Sequence, residues 1–308
     1  MRTRILGLQS MTSARYRFGL ILVTASAIAW SLAGLFTRAL PTLDSATMVT
    51  WRGFYGAIGI AILILALEGR NALAGFARMG WPGWLFAVVG VIGMVCYIAA
   101  LKTTTVAHVA VIYASIPFVA AGLGWLFIGE RPSLSAIIAS LAALIGIMVG
   151  FGADGTLWGD VLAFGMTAAM AVGILLARRF QTIPFTHAAC VSTLASAIVC
   201  WPLCAPLDVT GHQMVLLALF GLVNSSVGFG LFTLGARFLP AIETALIGSL
   251  DAPLSPLWVW IAFGEVPGAS TMSGGLIVFV AVGVYLGIGA TAKPPLPEAT
   301  TLEPEVAP

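Results

Sequence analysis

Charged side chains are scarce in this sequence, and several chemical signatures are absent from it. Only 8% of the 308 residues are charged, 14 Lys and Arg and 12 Asp and Glu, whereas soluble domains carry about 25%. The net charge of +2 is too small to indicate a nucleic-acid partner. The four cysteines stand in apolar runs without metal-ligand spacing, which excludes a disulfide scaffold and predicts no metal site. The sequence has no P-loop, so ATP does not drive the protein directly, and no cofactor is predicted.

Apolar length is what the sequence has in abundance. Hydrophobic residues make up 60% of it, and the mean hydropathy is +1.05. Only a helix or a closed barrel can satisfy the hydrogen bonds of its backbone within a membrane. A helix needs about 20 apolar residues to cross roughly 30 Å of hydrocarbon. The sequence therefore predicts an all-α membrane protein with ten transmembrane helices. The ten spans are approximately 18–39, 45–67, 81–101, 106–128, 134–151, 156–177, 186–205, 213–236, 240–263 and 270–290.

Positive charge is concentrated on one side of the predicted membrane. With a cytoplasmic N-terminus, most of the 14 lysines and arginines lie inside, while Arg38 and Lys102 lie outside. This distribution predicts a multi-pass protein of a bacterial-type cytoplasmic (inner) membrane with both termini in the cytoplasm. Residues 1–17 are predicted to be a cytoplasmic N-terminal segment, because the apolar run after them is too long for a removed leader. The proline-rich, acidic stretch 291–308 is predicted to be a disordered cytoplasmic tail.

The two halves of the sequence repeat one another. A shift of about 135 residues superposes Gly129–Pro132 on Gly264–Pro267, and both read Gly-Glu-x-Pro. The first repeat, 18–151, holds spans one to five, and the second, 156–290, holds spans six to ten. Because five is an odd number, the second copy enters the bilayer upside down. Secondary transporters use such inverted repeats to expose a midplane site to each side in turn.

These features resemble the EamA-type members of the drug/metabolite transporter superfamily. The resemblance lies in the ten spans, the repeated Gly-Glu-x-Pro, Trp30-Ser31 in span one and Trp51-Arg52 in span two. It implies a basket of helices around a central cavity, lined mainly by spans one, three, four, six, eight and nine. It also implies transport of a small metabolite, with bacterial exporters of aromatic and other amino acids as precedents. Asp251 in span nine departs from the commoner family pattern.

Two ionisable residues, Arg52 and Asp251, lie deep within predicted spans. A charge in hydrocarbon costs at least about 2.5–3.5 kcal/mol, so such a residue is a candidate for function. At ~1.5 Å per helical residue, the two residues lie at similar depths. In one interpretation, Arg52 holds a substrate carboxylate while Asp251 holds an ammonium group or exchanges protons. In the other, they form a static ion pair that joins the repeats, and the sequence leaves both open.

Prolines interrupt two spans at corresponding positions of the repeats. Pro117 lies in span four, and Pro253 and Pro256 follow Asp251 in span nine. Each proline removes a helical N–H, and broken helices in matched halves indicate the substrate site of a transporter. We count these prolines as gating or helix-break candidates, although packing alone also explains a proline kink. Polar residues in the same stretches are substrate-binding candidates: Tyr113, Ser115 and Ser255.

The remaining candidates are polar or aromatic. His108 lies near the start of span four, at the position that Glu243 occupies in the second repeat. Near a helix N-terminus, His108 is predicted to be neutral and to bind substrate or a relay partner. Glu130 and Glu265 each precede a new span and are predicted to stabilise the start of that helix. Rings and ions at similar depth suit aromatic or large apolar amino acids. The other predicted substrate-binding residues are Trp30, Tyr97, Asn224 and Phe232.

The sequence as a whole predicts a protein that is not an enzyme but a secondary active or facilitative transporter, most simply an amino-acid exporter. An intramembrane enzyme is one alternative, although the chain lacks a Gly-x-Ser-x-Gly nucleophile motif. A transporter of cationic drugs, nucleosides or sugars is another. The predicted partners are a small-molecule substrate and the lipid bilayer. Protons as the coupling ion, the direction of transport and the oligomeric state are left open.

Overall fold

The computed structural model describes residues 2–129, 134–150, 156–180, 184–236, 238–239, 247–248 and 250–291. These residues form helices with short connections, and no β-strand occurs among them. The prediction of an all-α protein is therefore confirmed. Glu130, Glu243 and the tail after residue 291 lie outside the described residues.

The first half of the chain contains two broken segments. A first segment is divided at Leu32, and the fourth apolar stretch is divided at Ala114 and Ser115. The helices of this half are α1 (Arg2–Ser31), α2 (Ala33–Ala39), α3 (Ser45–Glu68), α4 (Ala72–Ala77), α5 (Gly80–Thr103), α6 (Val106–Tyr113), α7 (Ile116–Ile128) and α8 (Leu134–Gly150).

The second half of the chain contains a π-helical segment, Gly221–Val227, inside one of its long helices. The helices of this half are α9 (Leu157–Arg179), α10 (Phe185–Cys200), α11 (Gly211–Phe220), α12 (Gly228–Gly235), α13 (Asp251–Phe263) and α14 (Ala269–Thr291).

Six helical segments are long and apolar enough to cross a membrane. Helices α6 and α7 pass the same test together, as one span bent by 43°, which would make seven. The described helices thus support a multi-pass membrane protein, while the count of ten spans stays a prediction. The six segments are Arg15–Ala39, Ser45–Ala77, Gly80–Thr103, Leu157–Ala177, Phe185–Leu203 and Gly211–Gly235.

Short polar side chains start several of these helices. Asp44 precedes α3 and accepts hydrogen bonds from the backbone N–H of Thr47 at 2.8 Å and from its hydroxyl at 2.6 Å. Partial burial raises the pKa of Asp44, but the hydrogen bonds to its carboxylate lower the pKa by a larger amount. The pKa of Asp44 therefore lies below its ordinary value. Three other helices begin after a threonine that accepts from the third helical N–H: Thr105, Thr156 and Thr210.

Helices from the two halves pack in pairs. α5 lies along α9, α1 along α12, α3 along α10 and α8 along α14. The largest apolar core contains Met48, Ile98, Leu101 and Phe220, all fully buried. Large apolar side chains also cover the outside of the bundle, with Met148 75% exposed. A bundle that is apolar inside and outside is typical of a protein surrounded by lipid.

Candidate substrate site

Arg52 lies on α3 in the interior of the bundle and is 3% exposed. Its guanidinium carbon is 4.8 Å from the centroid of the Phe220 ring. One terminal nitrogen, Nη1, donates to the sulfur of Met94, and the other, Nη2, donates to the side-chain oxygen of Asn224. The third nitrogen, Nε, is buried without a hydrogen-bond partner. Neutral groups thus hold the cation and leave its Nε without a partner, which suits it to bind an anion.

The π-helical segment between α11 and α12 brings Asn224 to Arg52. The amide nitrogen of Asn224 donates to the backbone carbonyls of Ala29, at 3.2 Å, and of Trp30, at 3.0 Å. A Cβ at Gly221 would lie 2.6 Å from the backbone oxygen of Arg52, so only glycine permits this approach to α3. Asn224 therefore connects α3, α1 and the π-helical segment. Such segments are frequent at functional sites.

Two of the predicted aromatic residues pack against each other. The ring centroids of Trp30 on α1 and Phe232 on α12 are 5.1 Å apart, with the rings tilted by 41°. The next residue along α1, Ser31, accepts a hydrogen bond of 2.8 Å from the indole of Trp258 on α13. Since the carbonyl of Trp30 binds Asn224, the aromatic pair and the Arg52 cluster share one backbone segment.

Asp251 is the first residue of α13, and it faces the end of α6. The hydroxyl of Tyr113, the last residue of α6, donates a hydrogen bond to its carboxylate. The carboxylate oxygen Oδ1 is buried without a hydrogen-bond partner. Tyr97 on α5 is close enough to interact electrostatically with both Asp251 and Arg52. Arg52 and Asp251 thus both lie within electrostatic range of one tyrosine.

Within the described residues, Arg52 and Asp251 do not form an ion pair with each other. Arg52 binds Met94 and Asn224, whereas Asp251 binds Tyr113. Each charge is balanced by neutral polar groups and keeps one unused polar atom. The static ion pair that the sequence left open is therefore not the observed arrangement. Separated opposite charges are what a ligand with both a carboxylate and an ammonium group requires.

The two serine candidates contact the protein itself. The hydroxyl of Ser115 donates to the carbonyl of Ile112 at 2.6 Å and so closes the end of α6. Ser255 is 8% exposed and packs against α2, where a Cβ at Gly34 would lie 3.0 Å from its Oγ. Among the described residues, neither serine hydroxyl hydrogen-bonds the side chain of Arg52 or Asp251.

The three prolines occupy different helical positions. Pro117 lies in the first turn of α7 and Pro253 in the first turn of α13, where a missing N–H costs little. The observed break before α7 therefore precedes its proline. Pro256 lies inside α13, and its missing N–H leaves the carbonyl of Ala252 without a helical donor.

His108 binds Asp160 of α9 and lies apart from this cluster. Its Nδ1 is 2.9 Å from Asp160 Oδ1, and the two side chains are 3% and 0% exposed. Asp160 was not among the predicted residues, because an acid in the first turn of a helix is ordinarily explained by the helix dipole. The signal that would have found it is its place inside an apolar span.

Glu265 differs from its prediction. It does not cap the helix that follows it; instead its carboxylate accepts from Arg38 on α2, with Nε to Oε2 at 2.6 Å and Nη2 to Oε1 at 3.1 Å. The N–H of Val106, which starts α6, is 3.3 Å from the same Oε1. Arg38 also donates to the carbonyls of Leu101 and Thr104. One end of the bundle is thus tied together by an ion pair that contacts α2, α5, α6 and the segment after α13.

Unpaired charges inside the bundle of a helical membrane protein are typical of membrane transporters. Within the described residues, no three His, Cys, Asp or Glu side chains come together in a way that could hold a metal ion. The model of the EamA-like transporter family matches residues 17–151 and 157–287. The chain therefore belongs to the EamA-like transporter family, as the resemblance predicted.

Known relatives extend over nearly the whole chain. The uncharacterized transporter YwfM of Bacillus subtilis strain 168 is 28% identical over 294 residues, which is 91% of this chain and 96% of YwfM. The pseudopaline exporter CntI of Pseudomonas aeruginosa strain UCBPP-PA14 is 24% identical, covering 85% of this chain and 94% of CntI. One crystal structure superposes with a TM-score of 0.63 and 20% identity, covering 88% of this chain and 97% of the other. That likeness concerns the fold alone.

Proposed function

We propose that the protein is a secondary transporter that exports α-amino acids by alternating access to a site between Arg52 and Asp251. Arg52 binds the substrate carboxylate, and Asp251 binds the ammonium group. Trp30 and Phe232 provide the ring surface for an aromatic or large apolar side chain. The name of one relative, a pseudopaline exporter, supports export as the direction.

The observation that carries this proposal is the separation of two buried opposite charges near one tyrosine. A buried unpaired charge is expensive, and the protein retains two of them within electrostatic range of Tyr97. An α-amino acid supplies one charge of each sign. Its binding would use the free Nε of Arg52 and the free Oδ1 of Asp251, so it would relieve both desolvation costs together.

The proposed architecture is ten spans in two inverted repeats, 18–151 and 156–290, around a central cavity. Helix packing supports this repeat. When the two halves are exchanged, α5 corresponds to α12 and α9 corresponds to α1, so the packed pair α5–α9 has its counterpart in the packed pair α12–α1. The same exchange turns the contact of α7 with α9 into that of α13 with α1 and α2. We further propose that both termini lie in the cytoplasm of a bacterial-type inner membrane, on the positive-inside argument. In that orientation, the Arg38–Glu265 pair closes the outer end.

Reconstitution into liposomes tests the proposed function. Vesicles loaded with unlabelled proteinogenic amino acids should take up a radiolabelled pool of the same amino acids by exchange, without any chemical change of the solute. Replacing Arg52→Gln or Asp251→Asn should lower this exchange about tenfold or more, because each change removes a charge-assisted hydrogen bond to the substrate. Arg78→Gln and Asp208→Asn are matched controls, since both side chains are exposed.

The outcomes separate the alternatives. Exchange of nucleosides, sugars or cationic drugs but of no amino acid would refute the substrate class while leaving transport intact. A solute that leaves the vesicles chemically altered would instead point to an enzyme. Exchange of amino acids that both Arg52→Gln and Asp251→Asn leave unchanged would show that the substrate binds elsewhere.

A further inference from the structure

A second polar pair, His108 and Asp160, is buried between α6 and α9, apart from the proposed substrate site. The imidazole Nδ1 is 2.9 Å from Asp160 Oδ1, so a carboxylate there accepts the N–H of the ring. The hydroxyl of Thr104 also donates to this oxygen, at 3.4 Å. The other ring nitrogen, Nε2, is buried without a hydrogen-bond partner. In a neutral imidazole whose Nδ1 donates, Nε2 is an acceptor that is free to take a proton.

We propose that the His108–Asp160 pair is the proton-coupling site of this transporter, an inference that rests on the proposed function. One proton from water on one side of the membrane binds Nε2, and the same proton leaves Nε2 for water on the other side later in the cycle. Only an N–H bond forms and breaks. The carboxylate of Asp160 orients the ring and stabilises the imidazolium, as carboxylates do for histidines in proton-transfer sites.

A proton on His108 changes the bond within this pair. Both side chains are buried, so a charge on the imidazole is weakly screened and lies beside the Asp160 carboxylate. Protonation of Nε2 converts the hydrogen bond between the ring and the ionised carboxylate into an ion pair. The proton therefore changes the strength with which α6 is held to α9.

The other charged groups around α6 have partners of their own. Glu265 binds Arg38 and the N–H of Val106, and Lys102 binds the carbonyls of the loop after α2. Asp251 binds Tyr113 at the opposite end of α6. α8 contains no ionisable residue, so the ionisable residues on the helices packed against α6 are Cys96, Tyr97 and Lys102 of α5, Asp160, Arg178 and Arg179 of α9, Asp251 of α13 and Tyr285 of α14. Of the described side chains, Asp160 is the one that hydrogen-bonds the imidazole.

α6 provides the physical connection between the proton and the substrate. His108 and Tyr113 are five residues apart on this helix, or about 7–8 Å along its axis. His108 contacts Asp160, and Tyr113 contacts Asp251 of the proposed substrate site. A break separates α6 from α7, so α6 is able to shift as a short unit. A change of the bond at one end therefore alters the bond at the other.

Transport assays distinguish proton coupling from a structural role of the pair. The probe is the radiolabelled pool of proteinogenic amino acids in liposomes. His108→Gln and Asp160→Asn should keep exchange in the absence of a pH gradient, but lose accumulation driven by a pH gradient by about tenfold or more, because Gln does not bind the proton and Asn does not stabilise the imidazolium. His187→Gln is the matched control, since His187 is 1% exposed and binds the carbonyl of Ala72. Unchanged gradient-driven accumulation in His108→Gln, or an equal loss in His187→Gln, would overturn the proposal.

A second measurement needs neither a substrate nor a stable variant. The chain has only three histidines, so histidine-selective ¹³C labelling of the intact protein in lipid nanodiscs gives three ring signals to follow by NMR. The His108 signal, identified against His187→Gln and His212→Gln, should change position with pH, because the proposal requires Nε2 to bind and release a proton. A His108 signal that does not titrate would refute proton binding even if amino-acid exchange is found. Titration without any amino-acid exchange would refute the proposed substrate alone.

Discussion

Replacing Glu265→Gln should open the end of the bundle that the Arg38–Glu265 pair ties together. The carboxylate accepts two guanidinium bonds, at 2.6 and 3.1 Å, and contacts the N–H of Val106 at 3.3 Å. The amide keeps an acceptor oxygen but loses the negative charge and one acceptor. The perturbation therefore weakens the connection between α2, α6 and the segment after α13 without removing any volume from the structure.

The expected size of the effect follows from the exposure of the pair. Hydrogen bonds to charged groups contribute about 1.5–3 kcal/mol, and exposed pairs contribute about 1 kcal/mol or less. The side chains of Arg38 and Glu265 are 25% and 27% exposed, so a value between these, about 1–2 kcal/mol, is appropriate. That free energy changes the ratio of open to closed protein about 5- to 30-fold.

Thiol labelling measures this opening. Val259 is 1% exposed and lines the small pocket beneath Glu265, together with Val106 and Pro256. In a chain without its four native cysteines, a Val259→Cys thiol should react with a membrane-impermeant maleimide about 5- to 30-fold faster when Glu265→Gln is added. Lys102→Gln is the matched control, because Lys102 donates to the carbonyls of Leu40 and Pro41 at the same end of the bundle. Equal labelling rates with and without Glu265→Gln, or the same acceleration in Lys102→Gln, would refute the reasoning.

Three other changes test the site and the fold. Asn224→Leu leaves Arg52 and two α1 carbonyls without their partner, so it should lower the free energy of unfolding by about 1–3 kcal/mol and abolish exchange. Asn224→Asp keeps the acceptor for Arg52, so its loss of stability should be smaller. Tyr113→Phe removes the donor to Asp251 and should change the apparent affinity for substrate several-fold with little loss of stability; an unchanged affinity would separate Tyr113 from the site. Asp44→Ala removes the N-cap of α3 and should cost about 1 kcal/mol near neutral pH. Because the pKa of Asp44 is lowered in the folded protein, this difference should vanish as the pH falls through that pKa; a difference that persists in acid would contradict the assigned cap.

Sequence reasoning identified residues better than it identified their neighbours. Arg52 and Asp251 stand out because any charge in an apolar span is costly, and that argument needs no structure. Asn224 is 172 residues from Arg52, and Glu265 is 227 residues from Arg38, so no local pattern indicates these contacts. Helical character followed from apolar length in the same way. The count of ten spans stays a prediction, because six segments, or seven with the bent pair α6 and α7, pass the length and hydropathy test among the described residues.

The contacts of α6 explain how one short helix connects the separate parts of this bundle. Three carboxylates from the second half of the chain bind this helix of the first half. Glu265 contacts its first N–H, Asp160 binds His108, and Asp251 binds Tyr113. α6 has only eight residues. Burying three ionised carboxylates beside it is costly unless each has an opposite charge or hydrogen bonds. Arg38 pairs with the first carboxylate. Under our proposals, protonated His108 pairs with the second and a substrate ammonium group pairs with the third. When the proton or the substrate leaves, the carboxylate that it was paired with loses an opposite charge, and the bond of that carboxylate to α6 changes. α6 is therefore the element through which the closed end, the proton and the substrate influence one another.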